Sequence, residues 1–181
     1  MTVYYTPIPS TVFHFIKAEC PNWSDVAGNA NATQYDATAG HYNLFSNYSP
    51  SGSHFPNPYL AKPISPAEIS QNCVRTAGWN FKISTNIDQT QNVSTIGPTD
   101  SNGEFSIAMS GLPSAILQAL MNDGQMWVSE ITQEGAPFAA LRCYRDANNG
   151  DNKEYIQFND TYPSNAYCIA YNIKQLPPAP G

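Results

Sequence analysis

Residues 79–87 read Trp79-Asn80-Phe81-Lys82-Ile83-Ser84-Thr85-Asn86-Ile87. Apolar or β-branched side chains fall at every odd position, with polar ones between them. Successive side chains of a strand point to opposite faces, so this pattern predicts a half-buried antiparallel strand. Four later segments, 126–132, 138–144, 154–158 and 166–173, have the same strand character. The chain between them carries Glu-Gly-Ala-Pro, Asn-Asn-Gly-Asp and Tyr-Pro-Ser-Asn, which is turn chemistry. The spacing predicts a four-stranded antiparallel meander.

Working outward, residues 11–19 form a β-branched and aromatic run, expected to be a strand buried on both faces. Phe105, Ile107 and Met109 alternate with small residues after an Asn102-Gly103 turn and predict another strand. Ser65-Pro66-Ala67-Glu68 resembles a helix start, with a capping residue, Pro at the first helical position and a reciprocal Glu. The apolar spacing predicts helices over 66–77 and 113–123, each stopped by a glycine. The expectation is one mainly-β domain over 1–181. It is an antiparallel β-sandwich or partly closed barrel of about seven or eight strands with one or two short helices. A long irregular loop region spans 21–63, and a Pro-rich extended tail spans 176–181.

Composition narrows the function classes. The chain has 181 residues, 8 basic and 14 acidic, for a net charge of −6. Clustered basic side chains are what phosphate binding requires, so nucleic acid is excluded as a partner. No apolar run is long enough to span a bilayer. Charged residues make up 12%, about half the usual share of roughly 25%. Neutral Asn, Ser, Thr and Tyr supply the solubility, which favours an extracellular or particle-associated setting. Residues 1–7 have neither a basic start nor an apolar core, so no signal peptide is read there. Five N-x-[ST] sequons, at Asn22, Asn31, Asn47, Asn92 and Asn159, fit that setting. Cys20, Cys73, Cys143 and Cys168 lack C-x-x-C spacing, which argues against zinc. They allow three disulfide pairings or free thiols.

No catalytic signature emerges. His14 sits within a strand, and His41 and His54 lie in loop sequence without a nucleophile elbow. Glu130 and Glu154 fall on neighbouring strand segments, but paired carboxylates of this kind also arise on a solvated strand face. Two turns are rich in oxygen ligands: Asp100, Asn102 and Glu104, and Asp146, Asn148 and Asp151. Calcium is the cofactor they would hold, though tight turns select the same residues. Trp23, Tyr35, Asp36, His41, Tyr42, Asn43, Tyr48 and His54 concentrate aromatic and Asn/Asp groups in the long loop, a composition suited to recognition.

Two readings follow. One is a non-enzymatic, lectin-like binding module that recognises a glycan or a protein surface through residues 21–63. The alternative is a structural subunit that self-assembles with copies of itself as a coat, tail, filament or inclusion protein, a homo-oligomer. A hydrolase ranks below both.

Overall fold

A computed structural model describes residues 7–22, 25–26, 65–136, 138–143, 152–158 and 160–174. Nine strands stand among the described residues. They are β1 (Val12–Cys20), β2 (Val74–Arg75), β3 (Phe81–Ser84), β4 (Ser94–Ile96), β5 (Glu104–Ala108), β6 (Met126–Glu130), β7 (Phe138–Arg142), β8 (Glu154–Ile156) and β9 (Asn165–Ile173). They form two sheets, so the mainly-β sandwich is the fold. The first sheet runs β2-β1-β9-β7, with β5 also paired to β1, and the second runs β4-β3-β6-β8.

β1 is central because its pattern allows nothing else. Phe13 and Phe15 point to one face and Ile16, Ala18 and Cys20 to the other, all fully buried. A strand apolar on both faces needs cover on both sides. The inner face packs with Phe81, Ile83, Met126 and Val128 of the second sheet. The outer face packs with Val26, Ala140, Ile169 and Tyr171. On one edge β1 pairs with β5 at Val12–Ile16 and with β2 at Ala18–Glu19. The Gly103 turn lies where β2 and β5 come together, at φ +71, and a Cβ there would come within 2.6 Å of the Thr76 amide. Only glycine tolerates both conditions.

On the other edge β1 pairs in parallel with β9 over nine register positions, from Val12↔Asn165 to Cys20↔Ile173. A parallel pair needs a crossover connection, and here the rest of the fold supplies it.

Two expectations need correction. The segments after residue 125 do not form a meander: β6 and β8 pair in the second sheet, while β7 and β9 pair in the first. Each turn crosses between layers, and local alternation carries no information about which layer a strand joins. The helix expected over 66–77 is a single 3-10 turn, Pro66–Glu68, and Ser65 makes no side-chain cap. Tertiary bonds override the local signal there, because Cys73 is bonded to Cys20 and Val74–Arg75 pair with β1. The other helix forms as α1 (Ser114–Met121), burying Ile116 and Leu120.

All four cysteines are bridged, Cys20–Cys73 and Cys143–Cys168. They close loops of 53 and 25 residues. On a chain-entropy argument, loops of that size contribute about 4 and about 3.5 kcal/mol.

Candidate functional site

The inner face of β1 changes character halfway along. Lys17 follows Phe13 and Phe15 on that face and is fully buried. Its Nζ contacts the Glu130 carboxylate from β6 and lies 4.0 Å from the centroid of the Trp79 ring. Both side chains of the pair are 0% exposed. Glu130 is held by its backbone: its N–H donates to Asn152 Oδ1 and its carbonyl accepts from Asn152 Nδ2, both at 2.8 Å. Trp79 is fixed likewise, with its N–H donating to Thr99 Oγ1 at 3.1 Å and its carbonyl accepting from the Thr99 N–H at 2.8 Å.

Asn172 of β9 belongs to the same face. Lys17 pairs with Ala170 and Glu19 with Asn172 in the parallel ladder. Side chains repeat every second residue, so Lys17 and Asn172 are diagonal neighbours on one face. Asn172 Nδ2 donates to the Ala136 carbonyl at 3.4 Å, while its Oδ1 is buried and finds no partner among the described residues. The same holds for Glu130 Oε1.

Burial governs the charges. It pulls the Lys17 ammonium down to about 8, although Glu130 pulls it the other way. It pushes the Glu130 carboxyl up, although Lys17 opposes it. Both shifts lean toward the uncharged forms and bring the two groups closer to sharing one proton. The site brings together a lysine nitrogen, a carboxyl group and a carboxamide.

A second polar cluster lies on the outer face of β1. His14 Nδ1 contacts Glu104 Oε1, and His14 Nε2 stands 2.7 Å from Asn165 Oδ1. Ser106 Oγ donates to Glu104 Oε1 at 2.7 Å, and Arg75 Nη2 donates to Glu104 Oε2 at 2.9 Å. The His14 ring stacks on Tyr167 at 4.6 Å. Burial raises the Glu104 carboxyl, but Ser106, His14 and Arg75 together outweigh it and bring it below the usual range. The cluster ties β1, β2, β5 and β9 together.

Of the residues expected from sequence, Trp23, Tyr35, Asp36, His41, Tyr42, Asn43, Tyr48 and His54 lie outside the described residues, as do Asp146, Asn148 and Asp151. Asp100 Oδ1 accepts from the Asn102 and Glu104 amides at 2.8 and 3.2 Å, and the Glu104 carboxylate is held by the outer cluster. Among the described residues no group of three His, Cys, Asp or Glu side chains is placed to hold a metal ion. Glu130 and Glu154 do sit on adjacent strands. Sequence reasoning passed over Lys17 and Asn172. The available signal was a lysine inside a run otherwise apolar on both faces.

No protein-family model matches the chain, and no curated protein matches it in sequence. Solved structures give distant likenesses. The D1 domain of the RrgB pilus backbone from Streptococcus pneumoniae aligns at 12% identity and TM-score 0.43, over 100% of this chain and 97% of that one. The shaft pilin SpaA of Lactobacillus rhamnosus GG aligns at 11% and 0.39, over 93% of this chain and 51% of that one. A Mobiluncus mulieris adhesin described as containing intramolecular disulfide, isopeptide and ester cross-links aligns at 12% and 0.34, over 91% and 41%. Likeness at this level carries no argument about what this chain does.

Proposed function

We propose that the chain is a load-bearing structural subunit of an extracellular or particle-associated assembly built with copies of itself. The observation that carries this reading is the parallel β1/β9 pair. The chain enters the pair at Val12 and leaves it at Ile173, at opposite ends of a ladder roughly 26 Å long at about 3.3 Å per residue. Tension applied through the two ends loads that ladder in shear, so its hydrogen bonds resist together rather than opening one at a time.

Other features support the same reading. Each of the two strands is tied covalently to a neighbouring segment, β1 through Cys20–Cys73 and β9 through Cys143–Cys168. Bridges of this kind persist in oxidising surroundings. The scarcity of Lys and Glu and the abundance of Tyr suit a surface covered by neighbouring subunits.

Pulling single molecules through two sets of handles tests the reading. Handles before Val12 and after Ile173 load β1/β9 in shear; handles before Val12 and at Ser164 peel the pair from one end. The shear geometry should need a clearly higher force. Equal forces in the two geometries would overturn the proposal.

A further inference from the structure

The buried pair has no structural rationale that a simpler pair would not serve better. A desolvated Lys–Glu pair is commonly no more stabilising than apolar side chains of the same size. Buried polar atoms normally find partners, yet Glu130 Oε1 and Asn172 Oδ1 find none among the described residues. A lysine nitrogen, a glutamate carboxyl group and a carboxamide with an unpartnered carbonyl oxygen therefore share the end of one sealed face. Water is excluded there, with Trp79 3% exposed over the lysine.

We propose that Lys17 Nζ and Asn172 Cγ become joined by an amide bond within the folded chain, with Glu130 as the catalytic acid and base. Lys17 is an attacking nucleophile only as the free amine, and transfer of its proton to Glu130 supplies that form. The Nζ lone pair forms a bond to Cγ, and the carbonyl electron pair moves onto Oδ1. The Glu130 carboxylic acid is the donor that the free Oδ1 lacks, and it steadies the developing negative charge. Glu130 then carries a proton from Nζ to Nδ2. The Cγ–Nδ2 bond breaks, its electron pair leaves with that nitrogen, and the carbonyl re-forms. A primary amine and a primary amide become a secondary amide and one ammonia, and Glu130 is regenerated. No oxidant, metal or added reactant enters the balance. Fixing amine and carboxamide on adjacent strands replaces an encounter in solution, which is a large part of the barrier to such a reaction.

The bond would link the two strands singled out by the load reading, but its chemistry depends on these residues alone. Tryptic peptide analysis of the folded, then reduced and alkylated, wild-type chain tests it. The expected product is a branched species in which peptide 154–174 is attached to the peptide carrying Lys17. It should be lighter than their sum by one ammonia, with no cleavage after Lys17. Intact mass alone would not decide, because succinimide formation at Asn102-Gly103 also releases ammonia. The branched species should vanish in Asn172→Ala and in Glu130→Gln. Recovery of linear 154–174 and of a peptide ending at Lys17, in full yield from folded wild-type protein, would overturn the proposal whether or not the variants fold. A branched species at wild-type yield in folded Glu130→Gln would overturn the role of Glu130. A linked chain that is weak in shear would count against the load reading and leave the bond standing.

Discussion

Glu104 and Glu130 both meet β1, from opposite faces, and their surroundings treat them in opposite ways. Glu104, a quarter exposed, receives hydrogen bonds from Ser106 and Arg75 and contacts His14. These partners favour its charged form and hold its carboxyl below the usual range. Among the described residues the Glu130 side chain has a single partner, Lys17, and it is wholly buried, so its carboxyl is pushed up. The comparison teaches that partner number and solvent access decide what an acidic side chain is for. A well-partnered, partly exposed carboxylate is a structural tie. A sealed carboxyl with one oxygen idle is poised to move a proton.

The largest expected effect breaks the buried side. On the Asn172→Ala background, where Lys17 stays free, Glu130→Ala strips Lys17 of its partner in a dry core and should cost about 3 kcal/mol or more in a urea unfolding series. Lys17→Met with Glu130→Leu should recover most of that loss. If Glu130→Ala were as stable as its Asn172→Ala parent, the pair would not be the desolvated unit described here.

Next comes a pH series on the Asn172→Ala chain, where Lys17 stays free. The folded pKa of about 8 lies below the ordinary 10.5. The unfolded chain then binds more protons in that window, so stability should rise as the pH climbs from about 8 to about 10.5. Glu130 is shifted upward and acts in the opposite sense at acid pH. The folded state keeps its proton longer, so this group lowers stability as the pH rises from the ordinary carboxylate value to the raised one. The wild-type chain, with Lys17 consumed in an amide, should lack the alkaline rise.

The smallest effects fall on the outer face. Glu104→Gln should cost about 1 kcal/mol or less, because partly exposed pairs contribute little. Glu104 stabilises above its unfolded pKa, and that contribution fades as the pH falls through its lowered folded value. The substitution should therefore flatten the acid limb of a thermal-stability profile and leave the alkaline limb unchanged. An alkaline change would mean that the two faces of β1 are coupled.

How much of this was legible beforehand depended on whether the signal was local. The run at 11–19, the alternation at 79–87 and the apolar stripe of α1 each report on one element, and each element formed. The cross-layer path of β6 to β9 was hidden, because a strand's alternation fixes its faces and not its neighbours. The helix expected over 66–77 failed because a disulfide and a β bridge, both made with β1, outweighed a favourable start. The inner site was illegible as a site. Lys17 and Asn172 lie 155 positions apart, and only the parallel register brings them to one face. Glu130 was noticed only as a possible partner of Glu154, on the adjacent strand, while its actual partner comes from the opposite sheet.

The most direct measurement of the whole account is the contour length released when the disulfide-reduced wild-type chain is pulled from its two ends. The account predicts that residues between Lys17 and Asn172 do not extend, even at forces that fully extend the Asn172→Ala chain. Release of the full chain length, at a force no higher than that needed to peel β1 from β9, would contradict it.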